Sequence, residues 1–296
     1  LSQSELGFDE AQYVLWARNF DFGYFTKPPL IAWTIAAETR ICGEGAACVR
    51  SFVPIVNSGT AFVLALLAAR LYGARTGFWT GIFFVIMPGI AVSSFLIATD
   101  PFLLFFWALA LVAVFMQIES PGLKPAVLFG VAAGLGLNAK YAMIYLPALV
   151  ALAGALMPEL RGKLFRRESL VALGLMLLLI APNLVWNALH GFATFEHTAN
   201  DNIGWSLERI NGWKGFEFFA AQFGIAGPVI FGAMLNALFL GARTEKPRTD
   251  MLLLVLSWPI LIVITFQGFL AQANANWGAT AYPAGAILAT ALVIRH

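Results

Sequence analysis

"PFLLFFWALALVAVFMQI", residues 101–118, is a run of 18 residues without a charged side chain. As a helix it would be about 27 Å long, close to the roughly 30 Å hydrocarbon core of a bilayer. The rest of the sequence has the same character, because 60% of its 296 residues are hydrophobic, 11% are charged and the mean hydropathy is +0.79. Soluble domains carry about 25% charged residues. The sequence therefore predicts an all-α polytopic membrane protein, and a net charge of +2 gives no reason to expect a nucleic-acid partner.

Eight further apolar segments can be identified. Six of them are single runs, at 46–69, 76–96, 169–187, 216–240, 251–271 and 278–294. The segment 125–157 is too long for one span and contains Asn138-Ala139-Lys140-Tyr141 in its middle, so we interpret it as two short spans that meet at this tetrapeptide. Gly130 and Gly134 form a GxxxG pattern, which is typical of close helix packing in membranes. About nine spans are thus expected.

The charged residues between these spans sort into two sets. One set of loops has a net charge of +6 and contains Arg70, Arg75, Lys124, Arg161, Lys163, Arg166, Arg167, Arg243, Lys246, Arg248 and Arg295 against five acidic residues. The other set has a net charge of −4. By the positive-inside rule the first set is cytoplasmic. Residues 1–45 and 188–215 are then external loops. Since the chain begins outside, we expect a further span before Leu1, in a longer chain.

Several polar residues of the external side have both a structural and a chemical interpretation. Asp9 and Glu10 precede an amphipathic stretch, and Asp9 with Gln12 fits a capping box at the start of a helix. Alternatively, one of the two carboxylates is an acid or base at the lipid–water boundary. Lys27 stands before two prolines and is either a snorkelling lysine or a point charge for a phosphate headgroup.

Asp100 and Lys140 are harder to explain by structure alone. Asp100 with Pro101 is a good helix start, but an ionisable group near a membrane is also a functional candidate. Lys140, flanked by two short apolar pieces, needs an anion or a water-filled cavity. The glycines before it do not have the spacing of a P-loop, and Tyr141 replaces the required Ser or Thr.

Two later segments offer candidates for contact with a sugar. Glu196-His197 lies in the loop 188–215, and this pair alone is too short a signal for a metal site. Asn276-Trp277 suits hydrogen bonding to a sugar and stacking on it, or equally an aromatic belt at the membrane edge. Cys42 and Cys48, six residues apart on the external side, are as compatible with a disulfide as with free thiols.

The predicted topology places the candidate carboxylates and lysines on one side of the membrane. Asp9, Glu10, Lys27, Asp100 and Lys140 come from different segments, yet all are external. Lysines beside carboxylates at a lipid–water boundary suit a reaction on a phosphate-linked lipid. The lysines would hold the phosphate, and a carboxylate would deprotonate an acceptor hydroxyl.

Successive motifs of the chain resemble a known enzyme family. They are FDEAQYVLWA (8–17), GYFTKPPLIAW (23–33), TDPFLLFFWALAL (99–111), GLGLNAKYA (134–142), PNLVWNALHGFATFEH (182–197) and NANWGATAYPA (274–284). In this order and spacing they are similar to those of the bacterial polyprenyl-phosphate-sugar-dependent glycosyltransferases. These are membrane enzymes of the GT-C type, related to the protein O-mannosyltransferases and the lipid A aminoarabinose transferase.

The resemblance implies a role for each candidate residue. Asp9, with Glu10 beside it, would be the catalytic base, and Asp100 would support the site or the sugar. Lys27 and Lys140, with Tyr141, would bind the donor phosphate. The substrate-binding set would be Glu196, His197, Asn276 and Trp277. Many relatives have His where this chain has Lys27, and this difference concerns the choice of acceptor.

The resemblance also implies a fold, partners and a location. The fold would be of the GT-C type, a single transmembrane catalytic domain over 1–296 with two interfacial helices near 8–20 and 28–41. The donor would be a polyprenyl-phosphate sugar and the acceptor a lipid A or other lipopolysaccharide part, a glycan or a protein, at the periplasmic face of the inner membrane, usually with inversion. No metal cofactor is expected because no DxD pair is present, although some enzymes of this type use a divalent metal. The alternative function is a transporter or flippase of polyprenyl-linked sugars.

Overall fold

The computed structural model describes residues 5–204, 210–240 and 248–295, and in these ranges it is built from helices without β-strands. Seventeen α-helices are described. They are α1 (Phe8–Ala17), α2 (Leu30–Cys42), α3 (Ala46–Val49), α4 (Phe52–Tyr72), α5 (Ala74–Ile86), α6 (Pro88–Ser93), α7 (Thr99–Glu119), α8 (Leu123–Ala139), α9 (Tyr145–Leu156), α10 (Pro158–Leu164), α11 (Arg167–Leu189), α12 (Ala193–His197), α13 (Gly212–Ala226), α14 (Pro228–Leu240), α15 (Arg248–Val255), α16 (Trp258–Leu270) and α17 (Tyr282–Arg295). The all-helical prediction is confirmed. Part of the predicted loop 188–215, residues 205–209, lies outside the described ranges.

The helices are long and apolar enough for a multi-pass membrane protein. In the described ranges, five helical segments meet the length and composition of a membrane span: Ala46–Tyr72, Thr99–Glu119, Arg167–Leu189, Arg248–Leu270 and Ala275–Arg295. Four shorter apolar helices accompany them: Ala74–Ile86, Leu123–Ala139, Tyr141–Leu156 and Pro228–Phe239. Helix α7 is central, since it packs against α4, α8 and α17, and its Trp107 is fully buried.

Two predicted spans, 76–96 and 216–240, are divided into two helices each, and the predicted span 251–271 has a local break although it lies in one segment long enough to cross a membrane, Arg248–Leu270. The run 76–96 divides into α5 and α6 at Met87, which is extended (ψ 129°) before Pro88. The run 216–240 divides at Gly227, whose φ of +81° is followed by Pro228. The run 251–271 divides before Trp258-Pro259. Proline lacks the backbone N–H that a continuous helix requires, so each helix restarts there.

The expected break between α8 and α9 is confirmed, and so is the packing role of the GxxxG glycines. Lys140 leaves the helix with φ −161° and ψ 135°, and a 3₁₀ turn at Tyr141–Ile144 leads into α9. On the side of α8 that packs against α11, a Cβ on Gly130 would lie 2.6 Å from the carbonyl oxygen of Ala172. A Cβ on Gly134 would lie 2.7 Å from Leu179 Cβ. Only glycine lets α8 and α11 approach this closely.

Residues 5–49 form a layer of three short helices, α1 to α3. Helices α1 and α2 pack against each other, as the two helices expected there. The intervening loop turns back onto α1, because the Tyr24 ring stacks on Trp16 at a centroid distance of 4.9 Å. A disulfide between Cys42 and Cys48 closes the connection from α2 to α3. This layer positions Asp9 and Lys27.

Candidate active site

The break after α8 places Lys140 beside the first turn of α7. Lys140 Nζ donates a hydrogen bond to Asp100 Oδ1 at 2.7 Å, and Asn276 Nδ2 donates to Asp100 Oδ2 at 2.9 Å. The Lys140 and Asp100 side chains are only 22% and 17% exposed. Three segments that are distant in sequence thus meet at one carboxylate.

Lys27 brings a second ammonium group to the same place. Burial lowers the pKa of Lys27 and the charge of Lys140 lowers it further, whereas Asp9 and Asp100 act in the opposite direction. The net direction is downward. Lys27 Nζ has no hydrogen-bond or ion-pair partner among the described residues. The two ammonium groups repel each other, so an anion bound between them would relieve both the repulsion and the burial cost.

Asp9 is the exposed carboxylate of the cluster. It lies in the first turn of α1, and its charge acts on both Lys27 and Tyr13. Burial raises the pKa of Tyr13, and Asp9 and Asp100 raise it further. Asp9 makes no hydrogen bond or ion pair within the described part of the chain. Its carboxylate is therefore accessible to a ligand.

Glu10 points away from the cluster, into the protein. Its carboxylate accepts hydrogen bonds from Arg50 Nε (2.8 Å), Arg50 Nη2 (2.5 Å), Gly7 N (2.8 Å) and Ile97 N (3.0 Å). Burial raises the pKa of Glu10, but these hydrogen bonds outweigh it and the net shift is downward. The expected capping box of Asp9 and Gln12 was wrong: the N-cap is Gly7, and Glu10 reaches back to it. The helix begins one residue before Asp9, so Asp9 cannot cap it.

Tyr141 lies in a neighbouring network of asparagines. Its hydroxyl donates to Asn183 Oδ1 at 2.7 Å and accepts from Asn187 Nδ2 at 3.2 Å. Asn183 Nδ2 in turn donates to the carbonyl of Phe22, and Thr194 Oγ1 donates to that of Tyr24. The network attaches the loop before Lys27 to α11 and α12. That Tyr141 binds the donor phosphate stays a prediction.

The remaining predicted residues are His197, Glu196 and Trp277. The His197 ring lies 5.6 Å from that of Phe25, two residues before Lys27. Glu196 is exposed on α12 and, among the described residues, has no hydrogen-bond or ion-pair partner for its side chain. Trp277 is half-buried against the core beside Asn276. The structure therefore brings Asp9, Lys27, Asp100, Lys140 and Asn276 together.

A protein-family model matches part of the sequence. It is described as dolichyl-phosphate-mannose-protein mannosyltransferase and matches residues 26–186, more than half of the chain. The chain belongs to this mannosyltransferase family. The matched region contains Lys27, Asp100, Lys140 and Tyr141, whereas Asp9 lies before it and Asn276 after it. The predicted family resemblance is thereby confirmed.

A curated relative extends the similarity beyond the region of the mannosyltransferase model. The lipid A galacturonosyltransferase RgtD of Rhizobium johnstonii is 40% identical over 286 residues, which are 96% of this chain and 60% of RgtD. This chain therefore spans about three fifths of the length of that relative.

Two solved structures share the fold of this member of the mannosyltransferase family. Both are crystal structures of ArnT from Cupriavidus metallidurans. The apo form has a TM-score of 0.78 at 22% identity, and the form bound to undecaprenyl phosphate has a TM-score of 0.81 at 19% identity. They cover 100% and 99% of this chain, which covers 57% of each. At these identities the comparison establishes the fold.

Sequence reasoning missed three residues that build the site. Arg50 pairs with Glu10, which is 40 positions away, and no local sequence pattern predicts such a pair. Asn183 and Asn187 do carry a signal, because two asparagines four residues apart in an apolar helix share one face.

No group of three or more His, Cys, Asp and Glu side chains in the described ranges could hold a metal ion. That the protein works without a metal stays a prediction.

Proposed function

We propose that the chain is the membrane-embedded catalytic part of a glycosyltransferase that moves a sugar from a polyprenyl-phosphate donor to lipid A. The observation that carries this proposal is the pair of ammonium groups, Lys27 and Lys140, beside the accessible carboxylate of Asp9. Two relatives support the choice of substrates: RgtD is a lipid A galacturonosyltransferase, and one ArnT structure holds undecaprenyl phosphate.

The lysines would bind the phosphate that links the sugar to the prenyl chain. Lys140 is held in place by Asp100, while Lys27 offers its ammonium group without a protein partner in the described ranges. As the bond between the anomeric carbon and the phosphate oxygen breaks, negative charge develops on the phosphate. Preorganised positive charges stabilise it most at that moment.

Asp9 would act as the general base. It takes the proton of an acceptor hydroxyl while the hydroxyl oxygen bonds to the anomeric carbon from the side opposite the phosphate. The electron pair of the broken bond leaves with the polyprenyl phosphate, and the configuration of the sugar is inverted. Asn276 and Trp277, with Glu196 and His197 nearby, would contact the sugar or the acceptor. Glu10 is proposed to hold α1 in place.

The location in the membrane is part of the proposal. We place nine spans in the chain as one catalytic domain, with α1 and α2 lying along the external surface of the inner membrane and the site facing the periplasm. The charge asymmetry of the loops supports this orientation. The exposed aromatic side chains Phe8 (85%), Phe20 (66%) and Phe25 (60%) support contact of the first layer with lipid.

The test is sugar transfer by the full-length protein in proteoliposomes. Undecaprenyl-phosphate sugars are supplied one at a time with lipid A, and mass spectrometry detects lipid A that has gained one sugar. We expect one donor to give product, and we expect Lys27→Met and Lys140→Met to lower kcat/KM about 100-fold or more. Lys214→Met, which removes an exposed lysine far from the site in sequence, should leave it unchanged. Movement of labelled donor between leaflets without transfer would favour the flippase alternative.

A further inference from the structure

A cavity of about 580 Å³ lies far from the candidate active site, at the other end of α7. It is lined by Ala113 and Gln117 of α7, whereas Asp100 is in the first turn of that helix. At about 1.5 Å per residue, the cavity is roughly 20–25 Å from Asp100 along the helix axis. The other walls are the start of α8, the first half of α9 and the first turns of α11, with Pro125, Pro147 and Met176 among the lining residues.

Most of the lining of this cavity is apolar, and its polar side chains are those of Gln117, Ser169, Arg166 and Arg167. Its inner wall is made of small and aliphatic side chains and the Phe129 ring. Arg166 and Arg167, both exposed, stand at the start of α11 and line the mouth. Arg166 pairs with Glu168 at 3.3 Å, and Arg167 has no hydrogen-bond or ion-pair partner among the described residues. An apolar interior below a positive rim is the complement of an anionic amphiphile.

The cavity has the depth of one lipid leaflet. Its lining on α11 runs from Arg167 to Met176, which corresponds to about 13 Å. One leaflet contributes about half of the roughly 30 Å hydrocarbon core. Leu170 and Leu173, which also line the cavity, are 70% and 47% exposed, so the cavity opens on the side of α11 that faces lipid.

We infer that this cavity is a binding site for an anionic phospholipid of the leaflet opposite the candidate active site. One acyl chain enters between α8, α9 and α11, and the phosphate lies against Arg166 and Arg167. Basic pockets between membrane helices on the cytoplasmic side bind anionic headgroups in this way. The lipid fills the space between α11 and α9 and thereby supports the helix pair α8–α11. This inference requires only that α11 spans the membrane and is independent of the proposed function.

Native mass spectrometry of the full-length protein tests this site. The protein is purified in detergent and mixed with equal amounts of phosphatidylglycerol and phosphatidylcholine of the same chain length. We expect one phosphatidylglycerol to be retained about tenfold more strongly than phosphatidylcholine, because two arginines contact its charge. The variant Arg166→Gln/Arg167→Gln should lose this preference. The control Arg75→Gln/Lys163→Gln removes two charges from the same set of loops outside the cavity and should keep it.

A second pair of variants tests the acyl-chain part of the site. Ala126→Phe on α8 and Ala113→Leu on α7 each fill the cavity and leave both arginines in place. Either variant, if it folds, should lose the bound lipid. Equal retention of the two lipids by the wild type would overturn the inference. Unchanged retention in Arg166→Gln/Arg167→Gln would also overturn it. So would full displacement of the lipid by inorganic phosphate, since that result would mean that the acyl chain contributes nothing to binding.

Discussion

Asp9 and Glu10 are adjacent carboxylates with opposite environments. Asp9 is exposed and its charge acts on Lys27, whereas Glu10 is 4% exposed and accepts four hydrogen bonds. Successive residues of a helix are about 100° apart, since a turn contains 3.6 residues, so one points to the site and the other to the core. A sequence motif of two acidic residues cannot distinguish them until the partner, Arg50, is known.

Glu10→Gln should therefore lower the stability of the fold, whereas sugar transfer by the folded protein should persist. Removing one partner of a buried ion pair costs about 3 kcal/mol, because the other charge stays buried. We expect the midpoint of thermal unfolding in detergent to fall, while transfer at low temperature persists. Glu44→Gln is the control, because Glu44 pairs with Arg18 in an exposed position and its loss should cost less than about 1 kcal/mol. An unchanged midpoint with abolished transfer would make Glu10 a catalytic residue.

The Lys27 ammonium should give the reaction an alkaline limit. Its pKa is lowered from the ordinary value of 10.5, so it loses its proton, and with it its attraction for phosphate, at a pH below that value. We expect kcat/KM, which reports the free enzyme, to fall as the pH rises through this lowered pKa. The side chain in Lys27→Arg stays protonated, so the decrease of kcat/KM should move to higher pH. The same pH profile in both proteins would contradict this role.

Between helices, the close approach of the first loop to α11 depends on Gly23. A Cβ at Gly23 would overlap the Trp186 ring and lie 3.0 Å from Asn183 Nδ2. Gly23→Ala should therefore displace the loop that carries Lys27 and raise the KM for the donor, at a cost of about 1–3 kcal/mol in stability. Gly45→Ala is the matched control, because a Cβ there meets nothing within 4 Å. Normal donor affinity in Gly23→Ala would contradict the attachment.

The junction of α2 with α4 contains a buried acid that makes stability depend on pH. Glu38 is fully buried, its Oε1 accepts from Phe52 N, and its Oε2 has no partner in the described ranges. Burial raises the pKa of Glu38 to about 7, although the hydrogen bond from Phe52 acts in the opposite direction. The folded state thus binds this proton more tightly than the unfolded state, whose pKa is near 4.5.

Stability should consequently fall as the pH rises from about 4.5 to about 7, by about 3 kcal/mol from this group, and be flat above. Glu38→Gln carries no proton to lose and should be more stable than the wild type at pH 8 and similar to it at pH 4.5. Thermal unfolding across this pH range measures the difference. A parallel pH dependence in the two proteins would show that another group is responsible.

Over the whole chain, composition and periodicity predict the helical membrane class, and the charge pattern groups the candidate residues on one side. The break at Lys140 could also be predicted, because a charged residue interrupts a segment too long for one span. The breaks at Met87 and Gly227 were missed because the flanking apolar residues hide them, although Pro88 and Pro228 are visible signals. Which charges pair could not be predicted, since Glu10–Arg50 and Asp100–Lys140 each join positions 40 residues apart.

The measurement that tests the account most directly is the turnover of Asp9→Asn with undecaprenyl-phosphate sugar and lipid A. The account predicts that kcat falls about 10²–10⁴-fold, since a general base is lost, while the affinity for undecaprenyl phosphate is unchanged. Glu217→Gln, which removes an exposed carboxylate on α13, should turn over like the wild type. Transfer by folded Asp9→Asn at the wild-type rate would contradict the account, because the accessible carboxylate of the cluster would then have no part in the chemistry.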